Sequence, residues 1–173
     1  MFAFTPPLVI LRVRGLPQPA GSKRAFPYVR DDVARGKRGW LGVRVTDDNP
    51  RAKPWKARMA RAAKKRYFGE LLREPLYVQF VFTMPRPKGH FGTGRNAGRV
   101  KDSAPEWPAV KPDVLKLARA AEDALTGIVW VDDALICEEL IKKRYGAEPG
   151  VTIFVYPMRR ATLFEGIEEA RSA

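Results

Sequence analysis

Leu76, Val78, Phe80 and Phe82 alternate along the chain and stop just before Pro85, the pattern of a strand with one apolar face. Val9, Leu11 and Val13 predict a first strand that ends at Gly15. Shorter strands are expected at 26–30 and 40–46, and a hairpin of 136–145 with 151–156. Two helical patterns accompany them. Trp55, Met59, Ala63, Tyr67 and Leu71 recur every four residues over 54–72, after a start signal at Asp47-Asp48-Asn49-Pro50. A second helix spans 114–125, with Leu117, Ala121, Ala124 and Leu125 on its core side and Thr126-Gly127 as its stop. This order predicts an α+β fold, a mixed β-sheet with helices packed mainly on one face. At 173 residues one domain is expected over 1–160, with a tail at 161–173 that reads as a short acidic helix.

Composition removes several function classes. A single cysteine, Cys137, excludes an intramolecular disulfide framework. With one histidine, His90, it cannot supply the four ligands of a structural zinc site. The longest aliphatic run, Leu8 to Leu11, is far below the roughly 20 residues that span a bilayer. A soluble, cytoplasmic protein without membrane contact is expected. His90 reads as a surface residue of a Pro- and Gly-rich loop over 84–112.

The charge is unevenly placed. Lys and Arg total 32 against 19 Asp and Glu, a net charge of +13. Residues 1–75 hold 18 basic and 6 acidic residues; the remainder holds 14 and 13. A strong field of one sign gathers polyanions, of which nucleic acid is the commonest. The candidate phosphate contacts are Lys56, Arg61, Lys64 and Lys65 on the first helix, and Arg86, Lys88 and Arg95 in the long loop. Trp40, Trp55 and Trp107 are candidates for stacking on unpaired bases.

The acidic residues of the second half carry the chemistry. Lys111-Pro112-Asp113 leads into the second helix, with Asp113 at its N-cap, and Asp132-Asp133 follows the helix after a short return. Each acid alone reads as a cap or a turn residue. Together they are expected to converge, and carboxylates in so basic a protein would repel the phosphates that the rest of it attracts. A hard divalent cation between them resolves that conflict, since Mg²⁺ takes carboxylate, phosphate and water oxygens. The reaction class is then metal-dependent phosphodiester hydrolysis, which requires neither His nor Cys.

Lys111-Pro112-Asp113, Asp123-Ala124-Leu125-Thr126-Gly127 and Val131-Asp132-Asp133-Ala134 closely resemble the RusA-type Holliday junction resolvases, small endonucleases common in phages and prophages. Gly15-Leu16-Pro17 with Lys23 and Arg24 fits the family more loosely. The resemblance runs from about Gly15 to Tyr156 and is specific between Lys111 and Lys143. It implies a homodimer that nicks four-way DNA symmetrically in recombination and repair, with Mg²⁺ or Mn²⁺ and no small-molecule cofactor, in a bacterial or phage setting. Asp113 and Asp133 match its metal-binding aspartates, Asp132 completes the Asp pair, and Lys143 matches a recurrent lysine. Lys23, Arg24 and Lys111 join the expected DNA contacts. Arg119 stands in place of the catalytic lysine and keeps its charge without its use as a proton donor. The second motif aspartate is replaced by Leu115.

Two readings follow from that replacement. Glu122 shares a helix face with Leu115 and Arg119 and either replaces the lost ligand or pairs with Arg119 on the surface. A chain that kept the fold and lost the site would bind branched or single-stranded DNA without cutting it. A weaker alternative is a structural or regulatory partner in a phage replication or packaging complex.

Overall fold

The computed structural model describes residues 6–32, 37–47 and 49–158. Strand β1 (Val9–Arg14) is followed by β2 (Lys23–Asp32), β3 (Lys37–Asp47) and helix α1 (Ala52–Arg66); then come β4 (Leu76–Met84), α2 (Val114–Leu125), β5 (Ile136–Tyr145) and β6 (Gly150–Pro157). Four strands form one mixed sheet in the order β1-β6-β4-β5, while β2 and β3 form a separate antiparallel ribbon. The fold is α+β.

The alternation in β4 decides how the sheet is covered. Leu76, Val78, Phe80, Phe82 and Met84 are buried, and the residues between them are only partly so. Pairing places Val9, Val155, Val78 and Glu139 in one row across the sheet, then Leu11, Ile153, Phe80 and Ile141, then Val13, Val151, Phe82 and Lys143. This face lies under the helices. Trp55, Met59 and Ala63 of α1 pack on it with Leu117, Ala118, Ala121, Ala124 and Leu125 of α2. Small alanines let α2 approach the strands closely. On the opposite face Leu8, Ile10 and Leu140 remain exposed.

Several expected elements are redrawn. The second and third strands are longer than predicted and pair with each other as a ribbon. Helix α1 stops at Arg66, and Tyr67 is already extended, so Leu71 is not part of its stripe. Leu72 instead exchanges backbone hydrogen bonds with the 129–131 segment, which needs extended chain. Asn49 does shape the start of α1, its Oδ1 accepting from Arg51 N at 3.1 Å, while Asp48 lies outside the described residues.

The expected hairpin of 136–145 with 151–156 does not form. Strand β5 pairs in parallel with β4, and β6 lies antiparallel between β1 and β4. The reason is in the side chains. Val151, Ile153 and Val155 of β6 are buried and suit an interior strand, whereas Glu138, Glu139, Lys142, Lys143 and Arg144 suit an edge. Gly150 permits the β1–β6 approach, since a Cβ there would meet the Val13 carbonyl at 2.4 Å.

The 84–112 segment has structure of its own. Phe91 and Val100 form a bridge, and 3₁₀ turns occupy Lys88–His90 and Gly94–Asn96. His90 is partly buried, edge-on to Tyr145 at 5.4 Å, rather than a free surface residue. The tail at 161–173 lies outside the described residues.

Phe80 touches the centre of this core, so Phe80→Ala is expected to cost about 3–5 kcal/mol in urea unfolding. Ile10→Ala on the open face should stay within about 0.5 kcal/mol.

Candidate active site

The approach to α2 is fixed from the sheet. Lys111–Pro112 is a cis peptide, and Asp113 caps the helix from an extended conformation, its Oδ1 accepting from Leu115 N at 3.1 Å. Lys143 on β5 donates from Nζ to the carbonyls of Val110 and Pro112, at 2.7 and 2.9 Å. The lysine therefore ties the entry of α2 to the sheet edge, directly beside Asp113 in the chain. Leu115 is 66 % exposed, an apolar side chain in solvent where an acid was expected.

The far end of α2 is held just as firmly. Asp123 pairs with Lys56 of α1 at 2.6 Å. Leu125 is buried, and Thr126 Oγ1 donates to the Glu122 carbonyl at 3.0 Å while accepting from Trp130 Nε1 at 3.1 Å. Gly127 takes φ +74°, a left-handed turn that any side chain would strain. Trp130 is fully buried. Each residue of Asp123-Ala124-Leu125-Thr126-Gly127 thus has a physical task in stopping the helix and turning the chain toward Asp132 and Asp133. Asp132 accepts from Ala134 N at 2.9 Å and caps the turn Asp133–Leu135.

Beside this turn lies a cavity of about 350 Å³ lined by Glu122, Asp133, Ala134, Ile136, Cys137, Glu138 and Glu139. Every charged group lining it is a carboxylate. Glu122 is half-buried, and its pKa is pushed up to about 7. Loss of hydration is the largest cause, followed by the Glu139 charge, a side-chain hydrogen bond with Glu139, and the charges of Asp133 and Asp123. Glu139 is also raised, chiefly by burial. Two carboxyls that share a hydrogen bond must hold a proton between them. A hard cation would replace that proton, because it relieves the same repulsion with oxygen ligands. Among the described residues, however, no three His, Cys, Asp or Glu are gathered as a ready metal-holding group.

The expected meeting of Asp113 and Asp133 does not occur around this cavity. Glu122 contacts Glu139 while the chain before Asp113 contacts Lys143, so α2 runs antiparallel to β5. Nine residues of helix separate Asp113 from Glu122, roughly 14 Å along the axis. Four residues of strand separate Glu139 from Lys143, about 13 Å. The two measures agree. The return after α2 is folded on itself and tied to Leu72, with Gly127 N donating to the Trp130 carbonyl and Leu72 N to the Val129 carbonyl, so Asp133 stays with Glu122 at the helix's C-terminal end. Glu122 engages Glu139 rather than lying on the surface against Arg119, which is exposed on α2.

Glu139 is not among the candidates that local sequence pattern singles out. Its signal was the alternation of Glu139, Ile141 and Lys143, which puts it on the helix side of β5 once β4 fixes the faces. The basic candidates divide. Lys56 is bound to Asp123, and Arg86 lies over the Tyr145 ring at 4.7 Å while donating to the Pro105 carbonyl. Arg61, Lys64, Lys65, Lys88, Arg95 and Lys111 are exposed. Lys23 and Arg24 open β2, and their side chains, like that of Trp40, lie outside the described part. Trp55 is buried in the core and Trp107 is 62 % exposed, so only the latter of these two can stack on a base.

The family described as endodeoxyribonuclease RusA matches residues 27–156, three quarters of the chain. Among curated proteins no match is found. No helix among the described residues is long and apolar enough to cross a membrane.

The Glu122 pKa gives a signed prediction. Its ordinary value is 4.5 and its folded value about 7, so the folded chain retains a proton that the unfolded chain releases between those limits. Stability from this group is full below about pH 4.5 and is lost as pH rises through about 7. Without metal, Glu122→Gln should melt higher than the parent at about pH 8, with the gap closing toward pH 4.5. Melting curves across that range check it, and a gap of constant size would contradict it.

Proposed function

The chain belongs to the RusA endodeoxyribonuclease family, and from that premise we propose that it is a Mg²⁺-dependent nuclease that resolves four-way DNA junctions by paired nicks in recombination and repair. The observation that carries the reading is the all-carboxylate cavity at the β5 edge of a protein with net charge +13. Asp133 and Glu122 would hold the cation, with Glu139 beside them. Mn²⁺, also an oxygen-seeking ion, would substitute. A bound ion of this type polarises the phosphoryl oxygen and lowers the pKa of water. Lys143 acts on position, through the carbonyls before Asp113. Arg119, exposed on α2, supplies a fixed positive charge for phosphate and no proton.

Asp113 is held about one helix length from the cavity of its own chain, so we infer that it serves the site of a second copy in a two-fold dimer. The competing reading, a junction binder that no longer cuts, has one observation in its favour: Leu115 leaves the second motif position without an acid.

The deciding experiment uses a labelled four-way junction with and without Mg²⁺. Symmetric nicks are expected that vanish in EDTA, and Glu122→Gln should slow them about 100-fold or more while binding persists. Asp113→Asn and Asp133→Asn should each be inactive. Mixing the two should restore about one quarter of the parental sites, because half the dimers are mixed and each carries one intact pair. No recovery would place both aspartates in one chain's site; tight binding without nicks under any metal would establish the binder.

A further inference from the structure

Strand β1 forms the sheet edge opposite β5, and a groove of about 770 Å³ runs between it and α1. Six cationic side chains line it, Arg12, Arg14, Arg58, Arg61, Lys65 and Arg66, with Val13 and Ala62 as the remainder. No carboxylate is among them. Glu148 pairs with Arg14 at 3.2 Å, but both side chains are largely exposed, and such a pair is weak and screened.

Two of the arginines are anchored. Arg58 Nη1 donates to the Arg14 carbonyl at 3.2 Å, and Arg66 Nη1 donates to the Arg12 carbonyl at 3.3 Å. These bonds cover the free edge of β1, which would otherwise invite another strand. Each uses one of the five guanidinium N–H groups and leaves the others for a ligand. Their heads are therefore placed before any anion arrives. Helix-end electrostatics accounts for Lys64, Lys65 and Arg66 in the last turn of α1, but not for Arg12, Arg14, Arg58 or Arg61. Like charges four residues apart, as in Arg61 and Lys65, repel one another on a helix. A row of phosphates turns that repulsion into attraction. An anionic membrane fits less well, because the apolar stripe of α1 is buried in the core and that helix offers lipid no apolar face.

We propose that the β1–α1 groove is a backbone track for duplex DNA that grips an arm flanking the cut, on the edge opposite the carboxylates. It rests on the nuclease reading for the identity of the polyanion. Three strand spacings separate the two edges by about 14 Å, roughly four base-pair steps. The track therefore holds the arm beside the scissile phosphate and not that phosphate itself.

The test is fluorescence anisotropy in EDTA with a labelled linear duplex and a four-way junction over a salt series. The parent is compared with the Arg61→Ala/Lys65→Ala double variant, which leaves the bonds to β1 in place. Binding to both DNAs should weaken alike, and the slope of log K against log salt should shrink by about 1.8 for two lost phosphate contacts, with the melting temperature unchanged. Unaltered slope and affinity would overturn the track. So would anionic phospholipid vesicles that bind the parent as tightly as DNA and are released by the same variant. A parent that shows the slope effect and never nicks refutes the nuclease and keeps the track; a nicking parent whose variant keeps the full slope does the reverse.

Discussion

The packing of α2 against β4 and β5 is the constraint from which the site follows. Leu117, Ala118, Ala121, Ala124 and Leu125 are buried in one cluster with Phe80 and Phe82, and a close-packed contact of this kind does not slide. The helix is pinned at both ends as well, by Lys143 to the Val110 and Pro112 carbonyls and by Asp123 to Lys56. Its direction relative to β5 is thereby set. Asp113 must stand near Lys143, and Glu122 must stand near Glu139 and Asp133.

That arrangement explains why carboxylates tolerate one another here. Glu122 and Glu139 share a hydrogen bond inside a partly dehydrated cavity, and the proton they hold offsets charge that Asp133 and Asp123 would otherwise make worse. The cost of such a cluster is sustained by packing elsewhere. Across the sheet the opposite sign prevails, with arginines from β1 and α1 gathered along the free edge. Acid at one edge and base at the other give the molecule polarity along the sheet. A long polyanion can be attracted by one edge while a cation is attracted by the other.

Much of this was legible in the chain. The alternation of β4, the core side of α2 and its Thr126-Gly127 stop follow from local rules of period and turn chemistry, and the structure has them where expected. The resemblance of Lys111-Pro112-Asp113 and Asp132-Asp133 to a nuclease family was equally local, being carried by short motifs. Strand partners were not legible. Residues 136–145 and 151–156 look like a hairpin because they are neighbours in sequence, yet burial of Val151, Ile153 and Val155 draws β6 to the sheet interior. Glu139 is not legible for the same reason, since its face depends on the register with Val78.

The amino-acid sequence by itself determined most of the elements, the excess of positive charge in the first half, and the exclusion of an intramolecular disulfide framework and a four-ligand structural zinc site, because these depend on composition and on neighbours a few residues apart. Only the tertiary structure decided which acids meet. Whether Glu122 turns toward Arg119 or toward Glu139, and whether Asp133 returns to Asp113, depends on the direction of a helix across a sheet. That direction is fixed by burial of side chains far apart in the chain, which no local pattern encodes.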